Sequence, residues 1–504
     1  MKILVTGGTG VVGASSVTEL IRRGHNVRLL SRNAMDDAAQ WSSGVEPWPA
    51  SVTEPDRLAG SADGCDLVLH VAGIVAEEPP DLTFDNVNVG GTRNILREAE
   101  RAGTGRLIYI SSLGADRGDS PYHLSKRKGE RIVQDFRGGW IILRPGNVYG
   151  PGDEVVSLLL QMVRTLPVIP VIDGGDDKFQ PVWVEDLALA IASAVERSDL
   201  HGRILELAGE EETSTNDIID RFAKLTRRDP VRVPVPGFLA SAGAAVAGMI
   251  GLELPVNESQ LTMLREGNVI RTPGGNALTA VFKVKPTTLE DGLKKLADAQ
   301  PEQFPDEGVG SLKRKRIWAD ISGSKLGPEE LFERFREDFN EATPGIVDAN
   351  AEPGTRTDLE PGVTITMSLP ARGNVQVRAQ EVTPVKATLV TLAGHPLAGA
   401  VRFLSEQRGD NVRFEVQVYD RPANIADWFA MKTVGEPAQA RTWESVVERM
   451  IEESGGSAPA GVQQREDDLN DDKTDLIEVW LRDLVMERKR AESGDGQGAP
   501  PPSG

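Results

Sequence analysis

The sequence predicts two folds in one chain: an α/β fold with a doubly wound parallel sheet over residues 1–298, and an α+β fold with an antiparallel sheet over 312–490. Three observations carry this. Short apolar runs at 2–5, 27–30, 67–71, 107–110 and 140–143 alternate with helical stretches, the rhythm of consecutive βαβ units. Glycines at 7, 10 and 13 follow the first run and open a helical pattern. Beyond 312 the rhythm changes to one helix, a series of strands and two late helices.

The first run, Ile3-Leu4-Val5, reads as a buried parallel strand. In the turn after it, Gly7 allows the tight bend, Gly10 lets backbone approach a ligand, and Gly13 lets the helix pack on the strand. A strand, such a turn and a helix N-terminus make a cradle for a dinucleotide pyrophosphate, the opening of a Rossmann-type sheet. From about 166 to 298 the pattern is irregular, as in a small substrate lobe, with helices near 185–196 and 214–226 and a closing helix at 289–296. Phe238 to Leu252 is apolar and rich in small residues, but shorter than the roughly 20 residues of a membrane span. It reads as a packed helix, the alternative being an interfacial helix or the mouth of a lipophilic pocket. Residues 299–311 read as a linker.

In the second half, Pro328 begins a helix with Leu331, Phe332, Phe335 and Phe339 on one face. Strands are expected at 363–369, 374–379, 386–392, 399–404 and 412–419, and helices at 437–453 and 474–490. Trp443, Val446, Val447 and Met450 face inward on the first of these helices. The acidic stretch from Glu466-Asp467-Asp468 to Asp471-Asp472 reads as a solvated connector, and 491–504 as a disordered tail.

A net charge of −20 over 504 residues argues against a nucleic-acid partner. One cysteine, Cys65, excludes a disulfide scaffold and fits a reducing compartment. No targeting segment precedes the first strand, so a cytoplasmic location is expected. The scattered histidines offer no metal site. His70 reads as a core histidine and His395 as a turn residue. Peripheral membrane contact and self-association stay open.

The chemistry lies in the first half. Tyr122 and Lys126 stand four residues apart on one helix face. A nearby ammonium is expected to lower the phenol's pKa towards the range of a proton donor or acceptor. Ser111-Ser112 ends the fourth of the five runs, where ligands bind in such sheets. The second run ends in Ser31-Arg32 with no acid beside it in sequence. Arg32, aided by Ser31, suits a ribose 2′-phosphate, which favours NADP(H) over NAD(H).

These residues resemble the short-chain dehydrogenase/reductases of the extended or atypical type, which are similar to the NAD(P)-dependent epimerases and dehydratases. The resemblance covers 1–298 and rests on Thr6-Gly-Gly-Thr-Gly-Val-Val-Gly13, His70-Val-Ala-Gly73, Asn88-Val-Gly-Gly-Thr92, Ser111-Ser112, Tyr122…Lys126 and Leu143-Arg-Pro-Gly-Asn-Val-Tyr-Gly150. It implies that Thr6, Gly7, Gly10, Val11, Val12 and Gly13 hold the cofactor's diphosphate. It also sets Ala72, Gly73 and Asn88 along the cofactor, and Pro145, Gly146 and Val148 near the nicotinamide. By the same resemblance Tyr122 is the acid/base, Lys126 grips the nicotinamide ribose and Ser112 orients the substrate.

Two departures stand out. Ser51 takes the place of the usual aspartate after the third strand, and Ser112 and Tyr122 are only ten residues apart. The second, together with Leu261–Val269, resembles the branch of the NADPH-binding accessory subunit of respiratory complex I. The resulting expectation is hydride transfer to or from a carbonyl or alcohol of a hydrophobic small molecule. The alternatives are a non-catalytic NADPH-binding accessory or redox-sensing protein, a sugar-nucleotide epimerase or dehydratase, and a hydrophobic-ligand binder. The last follows from the second half, whose element order resembles START-like helix-grip domains.

Overall fold

The computed structural model describes every residue except 42, 237–267, 273, 338, 340–350, 353–355, 357, 370–372, 425–426, 428–435 and 493–504. The apolar 238–252 stretch, most of 261–269 and nearly all of the expected tail lie outside the described residues. No described helix is long and apolar enough to cross a membrane. The chain divides into two compact units: Met1–Leu159, Pro170–Arg221 and Arg232–Ala299 form the first, and Leu160–Ile169, Phe222–Val231 and Gln300–Gly504 the second.

The first unit is built on seven parallel strands: β1 (Lys2–Thr6), β2 (Asn26–Ser31), β3 (Val45–Pro49), β4 (Leu67–His70), β5 (Arg106–Ile110), β6 (Gly139–Pro145) and β10 (Arg203–Leu207). Between β6 and β10 come β7 (Val148–Tyr149), β8 (Val168–Ile172) and β9 (Val182–Trp183), and after them β11 (Val231–Val235). The sheet order is β10-β6-β5-β4-β1-β2-β3. The chain therefore reverses direction across the sheet between β1 and β4, and that switch point opens a crevice at the strand C-termini.

Alternate side chains of β1 feed opposite layers. Ile3 and Val5 pack with Val17 and Leu20 of helix α1 (Val11–Arg22). The short helices α2 (Ala34–Ala38) and α3 (Pro55–Leu58) follow β2 and β3, and Leu4 packs with Ile95 and Ala99 of α4 (Thr92–Ala102) and Val133 of α5 (Pro121–Gln134). Both faces are covered, so the strands read as continuous apolar runs. The doubly wound parallel sheet expected from the runs is borne out. Two strands gave no such run. β3 carries Pro47 and Pro49, which lack donors and are tolerated because β3 is an edge strand. β10, at the other edge, is half exposed.

The second unit holds an antiparallel sheet in the order β13-β14-β15-β16-β17-β12-β18. Its strands are β12 (Lys313–Ile321), β13 (Thr364–Leu369), β14 (Gly373–Thr383), β15 (Lys386–Thr391), β16 (Leu397–Arg408), β17 (Asn411–Pro422) and β18 (Gln463–Asp468). One helix, Pro328–Glu337, and a second, Glu436–Ser454, cover one face; a third, Asp471–Glu492, covers the other with Leu481 on Val390 and Ala400. The antiparallel sheet is as expected. Beneath the Glu436–Ser454 helix lies a phenylalanine cluster: Phe335 sits 4.8 Å from Phe403 and 5.2 Å from Phe414, and Trp443 sits 5.7 Å from Phe403.

Two stretches differ from expectation. Glu466-Asp467-Asp468 is no connector but part of edge strand β18, paired with the basic strand β12 so that Arg314 meets Asp467 at 3.0 Å and Lys313 meets Glu466 at 2.8 Å. Residues 299–311, read as a linker, are from Gln300 on partly built into the second unit. Gln300 is fully buried, and Glu302 is buried among Arg378 and Arg488 at 2.9 and 2.8 Å.

Candidate active site

The turn from β1 into α1 has the shape of a phosphate cradle. Gly7 adopts φ +68°, and a Cβ there would lie 2.5 Å from the Ala72 nitrogen. A Cβ on Gly13 would lie 2.0 Å from the Gly7 oxygen. Only glycine fits either position. Around Gly10 the space is open, the nearest atom being 3.8 Å away. Gly10 caps α1 without a side-chain hydrogen bond, and the first turn holds no acid. The free N–H groups and the helix dipole therefore suit an anion, so the residues present fit a dinucleotide diphosphate. Val11 and Val12, half-buried on the first turn, flank it.

The floor of the crevice is a chain of buried hydrogen bonds. The Ala72 N–H points to Thr6 Oγ1 at 3.3 Å, which reaches His70 Nδ1 at 2.7 Å. His70 Nε2 reaches Thr92 Oγ1 at 3.0 Å, and Thr92 donates to the Asn88 carbonyl at 2.6 Å. Every link is satisfied if Nε2 carries the proton. Burial, with Lys126 nearby, drives the His70 pKa down to about 3, so the ring is neutral and structural. Asn88, in the π-helical segment Asp85–Gly91 that leads into α4, holds Ile74 N and O at 2.8 and 3.0 Å and Ser125 Oγ at 2.9 Å. It thereby fixes the Ala72-Gly73 segment against α5.

Ser120 caps α5 by accepting the His123 N–H at 3.2 Å, and Pro121 opens its first turn. This aims Tyr122 at the end of β5, with the Ser112 hydroxyl beside the phenol. Lys126 lies fully inside, its Nζ 3.0 Å from the Ile110 carbonyl and 5.2 Å from the Tyr109 ring. A Cβ on Gly73 would lie 2.9 Å from Nζ. Ser112, Tyr122, Lys126, Gly73 and Asn88 are thus brought together at the C-terminal ends of β4 and β5. At the end of β6, Leu113 N donates to the Pro145 carbonyl at 2.9 Å and Gly146 N to the Leu207 carbonyl at 2.8 Å. Val148 pairs with Val182 just beyond.

Two expectations need correction. Tyr122 is not made more acidic: burial pushes its pKa up to about 12, with the Ser112 hydrogen bond acting against the rise. Lys126 stands four residues on, but its Nζ turns to the Ile110 carbonyl, and burial pulls its own pKa down to about 8 against the pull of Glu130. At the end of β2 an acid is present after all. Asp37, on the short helix Ala34–Ala38, accepts the Ser31 hydroxyl at 2.5 Å. Arg32 is exposed and has no ion-pair partner among the described residues. Ser51 bonds Thr53 Oγ1 at 2.8 Å. Sequence reasoning missed Glu130, buried behind the site; its place four residues after Lys126, on the same helix face, was the available signal.

The sheet and the cradle define a dinucleotide-binding α/β protein. Residues 3–208 match the NAD dependent epimerase/dehydratase family. The chain is 32% identical over 249 residues to a ceramide reductase of Caulobacter vibrioides, covering 48% of this chain and 77% of that one. It is 34% identical over 184 residues to a 3 beta-hydroxysteroid dehydrogenase/Delta 5-->4-isomerase of Mycobacterium tuberculosis, covering 31% of this chain and 49% of that one. It is 26% identical over 279 residues to the mitochondrial NADH dehydrogenase [ubiquinone] 1 alpha subcomplex subunit 9 of Arabidopsis thaliana, covering 53% of this chain and 69% of that one. The chain belongs to the NAD dependent epimerase/dehydratase family, and its named reductase and dehydrogenase relatives support an oxidoreductase.

Proposed function

We propose that the first unit is a reductase or dehydrogenase that uses NADP(H) in preference to NAD(H) on a carbonyl or alcohol of a hydrophobic small molecule. The observation that carries this is the Ser112 hydroxyl on the Tyr122 phenol, with Lys126 Nζ buried beside Gly73. The nicotinamide, when bound, supplies or accepts the hydride. Tyr122 gives a proton to the carbonyl oxygen or takes it from the alcohol. Ser112 holds that oxygen against the phenol. Lys126, swung from the Ile110 carbonyl, grips the ribose and supports the phenolate, offsetting the burial that raises the phenol's pKa. Support for an apolar substrate comes from the relatives: a ceramide and a 3β-hydroxysteroid are both hydrophobic alcohols or ketones. Arg32 supports NADP(H), since its guanidinium is unpaired among the described residues and suits a phosphate, while Asp37, the acid near the end of β2, is engaged by the Ser31 hydroxyl.

The test is turnover of a panel of long-chain ketones and sterols with NADPH. Tyr122→Phe is expected to lower kcat about a thousandfold, within the usual 10²–10⁴ of general acid catalysis, with NADPH affinity nearly unchanged. Arg32→Ala is expected to weaken NADPH about tenfold and NADH hardly at all. NADPH binding without any turnover by the wild-type protein would instead favour the accessory reading, which the similarity to the complex I subunit supports.

A further inference from the structure

Glu130 is buried, yet it belongs to none of the roles above. Its Oε1 accepts the Ser111 hydroxyl at 2.6 Å and Arg144 Nε at 2.8 Å, and its Oε2 accepts Arg144 Nη2 at 2.7 Å. Ser111 sits at the end of β5, one residue before Ser112. Arg144 sits at the end of β6, one residue before Pro145. Glu130 itself is on α5, one turn beyond Lys126 and two beyond Tyr122. One carboxylate therefore joins the three elements that carry the candidate site. It also occupies Ser111, leaving Ser112 as the hydroxyl on the phenol.

Resting on the functional reading above, we propose that Glu130 is a positioning residue: its carboxylate locks the ends of β5 and β6 to α5 and sets a negative charge one turn from the Lys126 ammonium. A buried ion pair is an expensive way to gain stability alone, whereas here it fixes geometry and charge together. The groups facing Lys126 are few. On its own helix these are Tyr122 and Glu130. From β5 comes the Tyr109 ring at 5.2 Å, and from β4 the neutral His70. On β6, Arg144 is paired with Glu130 and also with Asp116 at 3.0 Å and with Glu206 of β10 at 3.8 Å. Burial lowers the Lys126 pKa and Glu130 opposes that fall. Removing the carboxylate, with Arg144 left behind, must lower it further.

The experiment uses the full chain and NADPH, with affinity read by fluorescence from pH 6 to 10. Glu130→Gln keeps an oxygen for Ser111 and removes the charge. It is expected to move the alkaline midpoint of NADPH affinity down by about one pH unit, as expected for a charge one helical turn away in a medium of intermediate dielectric. Affinity at pH 6 should stay within twofold. The pH profile of turnover should move with it. Glu130→Asp, which withdraws the charge by one methylene and guards against a misfolded glutamine variant, should give a smaller shift of the same sign. A lowered Tm with an unmoved midpoint in both variants would overturn the proposal, because packing alone would then account for Glu130. Binding without turnover by the wild-type protein would sink the functional reading while the midpoint still decides the role of Glu130.

Discussion

The two seven-stranded sheets handle charge in opposite ways. At the strand C-termini of the parallel sheet, three groups that hold no counter-ion of their own among the described residues are driven towards neutrality by burial: Tyr122 up to about 12, Lys126 down to about 8, His70 down to about 3. In the antiparallel sheet the charges are paired and pinned. Burial pushes the Glu302 pKa up, but Lys489, Arg378 and Arg488 outweigh it and hold it at about 2. The difference teaches where chemistry can occur. A group whose charge is costly can change state during a reaction; a group locked by three cations cannot.

Measurements on the second unit test this contrast. The largest effect there is expected from Phe335→Ala, which empties the centre of the phenylalanine cluster and should destabilise the unit by about 3–5 kcal/mol. Denaturant unfolding would show it, and NADPH affinity in native buffer should not change. A change in affinity would mean that the two units do not divide structure and chemistry as argued.

Next comes Glu302→Gln. The folded-state pKa of Glu302 is depressed, so its stabilisation is complete above the unfolded value near 4.5 and is lost as pH falls towards 2. The wild-type protein should therefore lose about 3 kcal/mol across that window. The variant should lack this slope and be less stable at pH 7. A slope of the same steepness in both proteins would show that Glu302 is not the pinned group.

The smallest effect belongs to the β12–β18 edge. Glu466→Lys sets a like charge diagonally across from Lys313 and should cost less than about 1 kcal/mol, since exposed cross-strand pairs contribute little. High salt should erase the difference. A larger, salt-independent loss would mean that β18 is held by more than its charges.

Much of this was legible in the linear chain. Strands whose two faces are both covered are apolar at most positions, so β1, β2, β4, β5 and β6 appear as runs. The turn at Gly7 and Gly13 is legible because positive φ and close backbone approach admit one residue type. The phenylalanine face of Pro328–Glu337 follows from helical period alone. Three strands escaped: edge strand β3 contains prolines, and edge strand β18 and its neighbour β12 are charged, so their strand character comes from the partner across the sheet.

The order of the runs, the glycine turn and the spacing of Ser112, Tyr122 and Lys126 were determined by local rules, because each depends on neighbours a few residues away. Only the tertiary structure decided which groups are desolvated, since burial is a property of the packed whole. It set the phenol above its usual pKa, aimed the Lys126 ammonium at a carbonyl, put Asp37 on Ser31 and buried Glu130 between two strand ends. It also matched a basic strand to an acidic one about 150 residues away. Such pairings rest on distance in space, which sequence separation does not encode.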